Sequence, residues 1–315
     1  MKIHQNINKV KVNKTTKPLV SVVIPVFNGA LYLEETVTSI QRNTYKNFET
    51  ILVDDGSTDE SKSICKVIAQ KHTNVKFYSF PKNKGMDRSL NLALKKARGK
   101  YICRINQDDI MLPNRIKTQV EFLEKNPETV AVGSHIKLFD NKNNQKIVKF
   151  LKTDEQIKRI WLILSPFSDP SVMYRKEVAI AAGGYKQEFW PADDVHMWYK
   201  LGKIGKLANI QKPLVKVRWH DNAGSIKFFR KDAIVTYELH RWANDNIQKA
   251  PFFVELFWLG ELICGLTLSP TFNWAAYRML KKLFNTVLNI KGIKLPQLNN
   301  ALQFPRKASP CTRTT

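Results

Sequence analysis

Apolar positions along this chain alternate between two rhythms. Leu19-Val-Ser-Val-Val-Ile-Pro25 is a nearly continuous β-branched run, the pattern of a strand covered on both faces. After Phe27-Asn28-Gly29 turns the chain, Leu31, Leu33, Val37 and Ile40 recur at helical spacing up to Arg42. The pair then repeats. A strand at Phe48–Val53 precedes a helix carrying Ile64, Val67 and Ile68, and a strand at Val75–Phe80 precedes one carrying Leu90, Leu92, Leu94 and Ala97. Ser57 and Glu60, three residues apart, predict a capping box for the second of these helices. A fourth strand uses the apolar positions 101, 102, 103 and 105 and stops on Asp108-Asp109. Strand and helix alternating in this way predict an α/β fold with a doubly wound, mostly parallel sheet flanked by helices.

Past that point the rhythm changes. The pattern predicts a helix over Asn114–Lys125, a strand over Thr129–Phe139, a hairpin turn at Asn141–Gln145 and a short strand at Asp169–Tyr174. A helix at Lys176–Ala182, a tight turn at Gly183-Gly184, an amphipathic helix opening at Asp193-Asp194 and a strand at Val215–His220 follow. Beyond the loop at Asp221–Ser225 lies a basic, helical C-terminal extension. Its stretch Pro251–Leu268 is strongly apolar but carries Glu255 and Glu261 and is barely long enough to span a bilayer, so it is not read as transmembrane. Trp274, Tyr277, Met279 and Leu280 beside Arg278, Lys281 and Lys282 fit a segment lying in an anionic membrane surface, or equally a core helix pair packed on the sheet.

Composition narrows the partners only partly. In 315 residues, 51 Lys+Arg against 27 Asp+Glu leave a net charge of +24, a field that attracts nucleic acid, anionic lipid or a polyanionic substrate. Met1–Lys17 is basic and polar without an apolar stretch, so it reads as a disordered arm and not as a signal peptide. Cys65, Cys103, Cys264 and Cys311 lie far apart, which argues against a zinc site or disulfide framework and fits a cytoplasmic setting.

The candidate chemistry sits where strands end. In open α/β sheets ligands bind outside the carboxyl ends of the strands, and there the chain places Asp54-Asp55 and Asp108-Asp109. Adjacent carboxylates repel, and a divalent cation keeps them ionised; hard oxygen ligands suit Mg²⁺ or Mn²⁺. The plainer alternative is that Asp109 lies near the N-cap of the next helix, with Pro113 in its first turn. Neither G-x-G-x-x-G nor a phosphate loop follows the first strand, so phosphate must be held otherwise. Asp193-Asp194 has a plain reading too, as first-turn acids facing the helix dipole. His220 is of interest only if it faces Asp108.

Several stretches, in order over about residues 18 to 226, resemble the family 2 glycosyltransferases, whose catalytic domain has the GT-A fold. They are Val22–Asn28, Val53–Asp59, Asn83-Lys-Gly85, Arg104–Asp109, Asp169–Arg175, Gly183-Gly-Tyr185, Asp193-Asp194 with Trp198, and Arg218–His220. The resemblance implies an inverting transfer of a single sugar from a nucleotide-sugar donor, a UDP-sugar first of all, to the hydroxyl of a carbohydrate or lipid-linked acceptor. Cell-surface polysaccharide, lipopolysaccharide or glycolipid synthesis would be the setting. By the same resemblance Pro25, Phe27, Asn28, Asp54, Asp55, Asn83, Gly85, Arg88, Asn106, Gln107 and Arg218 fall on the nucleotide-sugar side, and Asp108 with His220 at the metal, Mn²⁺ or Mg²⁺. Asp194 matches the catalytic base; Asp169, Asp193 and Trp198 fall on the acceptor side. One departure stands out: the first acid of the family's D-x-D motif is Asn106 here, which leaves the metal site a carboxylate poorer.

The domains so implied are the arm at 1–17, a catalytic domain at 18–226 whose nucleotide-sugar half ends near 110, and the extension at 227–315, which could place the protein peripherally on the inner face of a membrane. Two other functions compete: a basic nucleic-acid-binding protein, and a nucleotidyltransferase on a related sheet. The first lacks any helix-turn-helix, zinc finger or aromatic-studded sheet motif and sets carboxylates where nucleic acid would approach, so no nucleic-acid partner is expected. The second lacks a glycine-rich basic loop after the first strand.

Overall fold

The computed structural model describes residues 17–140, 144–220 and 228–268, together with Phe272 and Met279. The N-terminal arm up to residue 16, most of the predicted hairpin turn, the predicted loop at 221–225 and most of the basic segment beyond 268 lie outside the described residues. The elements in chain order are β1 (Val20–Val26), α1 (Leu33–Gln41), β2 (Phe48–Asp54), α2 (Ser61–Lys71), β3 (Val75–Ser79), α3 (Met86–Lys96), β4 (Tyr101–Arg104) and β5 (Ile110–Met111). Then follow α4 (Arg115–Lys125), β6 (Thr129–Phe139), β7 (Gln145–Val148), α5 (Asp154–Ile160), β8 (Met173–Arg175), α6 (Lys176–Ala181), α7 (Asp193–Ile204), β9 (Lys206–Arg218), α8 (Phe229–Asn246) and α9 (Phe252–Thr267).

Nine strands form one sheet in the order β3-β2-β1-β4-β8-β6-β9-β5, with β7 paired to β6. The β1–β2, β1–β4, β2–β3 and β6–β9 pairs are parallel, and β8 is inserted antiparallel between β4 and β6. Alternation along β1 assigns its side chains to two layers. Val20, Val22, Ile24 and Val26 pack with Leu33, Val37, Ile40, Ile116 and Val120 on one face. Val23 faces the other, with Leu90, Leu94, Trp198 and Tyr199. Helices α8 and α9 join this second layer through Leu239, Ala243, Phe257 and Trp258. Only one side of α9 is covered: Phe252, Leu256, Leu259, Ile263 and Leu266, spaced by fours and threes, stay exposed. No helix among the described residues is long and apolar enough to cross a membrane.

The α/β pattern of the sequence is the pattern of the fold, with local corrections. Asp169-Pro170-Ser171 is a 3-10 turn, and the strand expected from Asp169 starts only at Met173. The strand expected at Val215 begins at Lys206, because Lys206, Gln211, Lys212 and Pro213 break the apolar pattern on its exposed side. Asp109 is not a helix N-cap, since β5 intervenes before α4 starts at Arg115 with Asn114 as its cap.

Candidate active site

Side chains tie together the loops that leave the carboxyl ends of β1, β2 and β4. The Gln107 amide brackets the Phe27 backbone: Phe27 N donates to its Oε1 at 2.8 Å, and its Nε2 donates to Phe27 O at 3.0 Å. The Phe27 ring is left 42% exposed, free to take a planar group, beside the half-buried Pro25. Asn28, at φ +49°, donates its N–H to Ser57 Oγ at 3.0 Å and accepts from Thr58 N at 2.9 Å. Ser57 is therefore committed to the β1 loop. The capping box expected with Glu60 does not form, and α2 starts at Ser61 without a side-chain cap.

Asp54 and Asp55 end β2 and are both buried. Asp55 accepts from Lys84 N at 2.8 Å and Gly85 N at 2.9 Å, fixing the turn before α3. That turn requires glycine twice. Gly85 sits at φ +104°, and a Cβ on Gly56, at φ +70°, would lie 2.4 Å from the Lys82 carbonyl carbon. Burial, opposed by those two hydrogen bonds, raises the Asp55 pKa, and Asp54 adds to the rise. Asp54 accepts from Ser57 N at 3.3 Å with one oxygen, while Oδ2 has no partner among the described residues. Asn83 is exposed at the tip of the turn, and Arg88 turns outward, its Nη2 donating to Gln187 Oε1 at 3.4 Å.

Beyond Gln107 the two adjacent acids part company. Asp108 Oδ2 meets His220 Nε2 at 2.9 Å, so the histidine does face Asp108. Asp109 turns inward, where its Oδ1 accepts from Arg218 N at 2.9 Å; burial first, then Asp108, pushes its pKa well up. The Arg218 guanidinium donates to Asp108 O at 3.1 Å and to Glu35 at 2.5 Å, and lies 4.4 Å and 4.5 Å from the Tyr32 and Phe139 ring centroids. It is thereby immobilised beside Asp108. Asn106 is half-buried between β4 and this pair. Asp108 and His220 are a spare donor set for a hard cation, and among the described residues no group of three or more His, Cys, Asp or Glu could hold one. Mg²⁺ and Mn²⁺ tolerate such a set because substrate phosphates and water complete their coordination.

A second group of acids gathers at the start of α7. Arg104, fully buried, pairs with Asp169 Oδ2 at 3.0 Å and caps Ile105 O at 2.7 Å. Asp193 is buried with Oδ2 unpartnered among the described residues; burial first, then Asp169, raises its pKa to about 7. Asp194 accepts from Val195 N at 2.8 Å, and burial with Asp169 and Asp193 pushes its pKa well up. Asp232 on α8, itself raised to about 6 by burial, contributes to that rise. A carboxylate with a raised pKa is a stronger base once ionised. Trp198, expected on the acceptor side, is instead fully buried, edge-on to Phe167 at 5.5 Å. Its ring packs in the core layer between Phe167 and Tyr174.

Arg104, Glu35, Tyr32, Asp232 and the buried Asp87, which follows the turn held by Asp55, were not among the expected site residues. Arg104 carried a signal, because a lone arginine inside Tyr-Ile-Cys-Arg-Ile can be buried only with a partner. Tyr32 and Glu35, a few residues past Asn28, and Asp87, beside Arg88, lie close in sequence to expected residues but at helix starts that no motif marks; only Asp232 comes from a distant element.

The sheet, with carboxylates gathered at its carboxyl edge, is the GT-A type architecture shared with the glycosyltransferase structures described below. Residues 21–183 match the model of glycosyl transferase family 2, and the chain belongs to that family; it is a glycosyltransferase. An uncharacterized glycosyltransferase of Haemophilus influenzae is 32% identical over 222 residues, 66% of this chain and 68% of its own. The amylovoran biosynthesis glycosyltransferase AmsE of Erwinia amylovora is 28% identical over 204 residues, 63% and 75% of the two chains. Other relatives are longer: the chain spans 35% of one from Rickettsia conorii. Among solved structures, S. aureus TarS 1–349 in complex with UDP-GlcNAc superposes with a TM-score of 0.61 at 18% identity, covering 90% of this chain and 86% of its own. Mannosyltransferase PcManGT from Pyrobaculum calidifontis, in complex with GDP-Man and Mn²⁺, gives 0.57 at 20% identity, covering 90% and 78%.

Proposed function

We propose that this glycosyltransferase moves one sugar from a nucleoside diphosphate sugar, a UDP-sugar first of all, to an acceptor hydroxyl with inversion at the anomeric carbon. The observation that carries the proposal is the division of acids into two groups with different partners. The Asp108 carboxylate is paired with the His220 imidazole, and the Arg218 guanidinium bonds the Asp108 backbone carbonyl beside it, while Asp194 lies among further carboxylates. The first arrangement suits a leaving diphosphate and the second suits a base.

On the donor side, the exposed Phe27 ring offers a stacking face and Asp54 Oδ2 an unclaimed acceptor for a base N–H. Asp108 and His220 would hold Mn²⁺ or Mg²⁺ together with the donor. When bound, the ion supplies positive charge to diphosphate oxygens as negative charge develops on them. Arg218, held by Glu35 and two rings, adds a fixed positive charge beside it. Asp194 takes the proton from the attacking hydroxyl, and inversion then needs no covalent intermediate.

The similarity to AmsE favours a polysaccharide acceptor or one of related cell-surface type. The exposed apolar row on α9, followed in sequence by Arg278, Lys281 and Lys282, supports peripheral binding to an anionic membrane. Flotation with anionic liposomes at low salt tests this, with co-migration expected; a protein left at the bottom of the gradient removes the membrane from the proposal.

The decisive experiment on the chemistry is Asp194→Asn. Donor binding should survive while transfer falls by about 10²–10⁴, the usual contribution of a well-placed base. Near wild-type transfer in that variant would place the base elsewhere.

A further inference from the structure

A cleft of about 420 Å³ runs along the outer face of α3, opposite the segment that leads into the Asp193-Asp194 turn. Lys84, Asp87, Arg88 and Asn91 form one wall, and Lys186 and Gln187 contribute to the other. The wall is fixed. Asn91 Nδ2 donates to Tyr185 O at 2.9 Å while Tyr185 N donates back to Asn91 Oδ1 at 2.9 Å, and Arg88 reaches across to Gln187. Phe80 lies at the same cleft, with Lys84 Nζ 5.2 Å from its ring centroid. A preformed space of this size takes one or two sugar rings.

Its charge is lopsided. Lys84, Arg88 and Lys186 face it against the single buried Asp87, whose Oδ1 has no partner among the described residues; the resemblance puts Arg88 on the nucleotide-sugar side, but its guanidinium bonds Gln187 of this cleft. Lys200, just behind the cleft, donates from Nζ to Gly184 O at 2.6 Å. The cleft adjoins the turn that Asp55 holds: a Cβ on Gly85, whose N–H donates to Asp55, would lie 2.6 Å from Asp87 Oδ1 and 3.6 Å from Gln187 Nε2.

We infer that this cleft is an acceptor subsite for a saccharide bearing a negative charge, phosphate or carboxylate, so that the acceptor is an acidic glycan. The inference rests on the proposed transfer reaction and specifies its acceptor. An aromatic side and amide groups suit a sugar ring, and three cations suit the anionic substituent.

Titration of the full chain with glucose 6-phosphate, glucuronate, neutral maltose and inorganic phosphate, followed by NMR or calorimetry, tests it. The acidic sugars should bind at least tenfold more tightly than maltose and inorganic phosphate, the phosphate or carboxylate arm showing which substituent is preferred. In the Lys84→Gln/Lys186→Gln double variant that preference should fall at least tenfold, with the melting temperature and nucleoside diphosphate affinity unchanged. Equal binding of maltose, equal binding of inorganic phosphate, or no binding overturns the inference. Loss of nucleoside diphosphate affinity in the double variant overturns it too, by giving the cleft to the donor. Failure of the transfer reading would show separately, as absent nucleoside diphosphate binding by the wild-type chain.

Discussion

Replacing Asp193 by asparagine should make the ligand-free protein more stable above neutral pH. The side chain is 3% exposed, and its Oδ2 is without a partner among the described residues. Burial, with Asp169 adding, raises its pKa from an ordinary 3.8 to about 7. A group whose folded-state pKa lies above its unfolded value favours folding most below the unfolded value, and that advantage is lost as pH rises through the folded one. At about 1.36 kcal/mol per unit, roughly three units set a ceiling of about 4 kcal/mol for the cost of ionising Asp193 in the fold. Water entry and local relaxation reduce it, so a gain of about 1–3 kcal/mol is expected for Asp193→Asn at pH 8 and little at pH 4. Urea unfolding of both proteins at pH 4, 6 and 8 measures this, read from midpoints at matched slopes. The wild type should lose stability over that range more steeply than the variant. A variant less stable than wild type at pH 8 would refute the reasoning, because it would mean that the carboxylate holds a favourable partner.

Asp108→Ala should abolish the metal-dependent part of nucleoside diphosphate affinity, since His220 alone is a poor site for a hard cation; unchanged affinity with Mn²⁺, measured by calorimetry, would remove Asp108 from the metal. Gln107→Ala releases both hydrogen bonds to Phe27 and, at about 0.5–1.5 kcal/mol each, should weaken donor binding by roughly tenfold while leaving turnover at saturation nearly intact. Equal losses in kcat and KM would show that Gln107 touches the reacting groups. Gly56→Ala should lower stability by more than about 1 kcal/mol in thermal unfolding, because the Cβ meets the Lys82 backbone at a positive φ.

How much of this was legible in the sequence follows from which contacts are local. The buried strands β1, β2 and β4 announce themselves by apolar runs, and the positions of Asp54 and Asp108 follow from the ends of β2 and β4, that of Asp194 from the start of the amphipathic α7. Partners were not legible. Nothing near Asp109 in sequence foretells that it turns away from Asp108 to take Arg218 N, more than a hundred residues on. Nor could Trp198 be told from a ligand-facing tryptophan, since a motif fixes its place on α7 but not which side of the helix the core claims. The start of β9 was hidden for the opposite reason, its polar side being exposed.

The path of the chain through Asp108 and Asp109 bears on how this enzyme could be taken apart. β4 lies in the middle of the sheet, yet β5, beginning at Ile110, is its last strand, pairing with β9. Ser39 on α1 reaches back to Met111 N at 3.0 Å, so the sheet's far edge leans on the first helix of the donor side. A graft that joined residues up to 110 of one relative to the remainder of another would cut through β5, the strand that holds the Asp108-Asp109 pair against Arg218. Chimaeras meant to exchange donor preference should therefore carry α1, β5 and the end of β9 as one block, although these pieces lie up to about 180 residues apart in the chain.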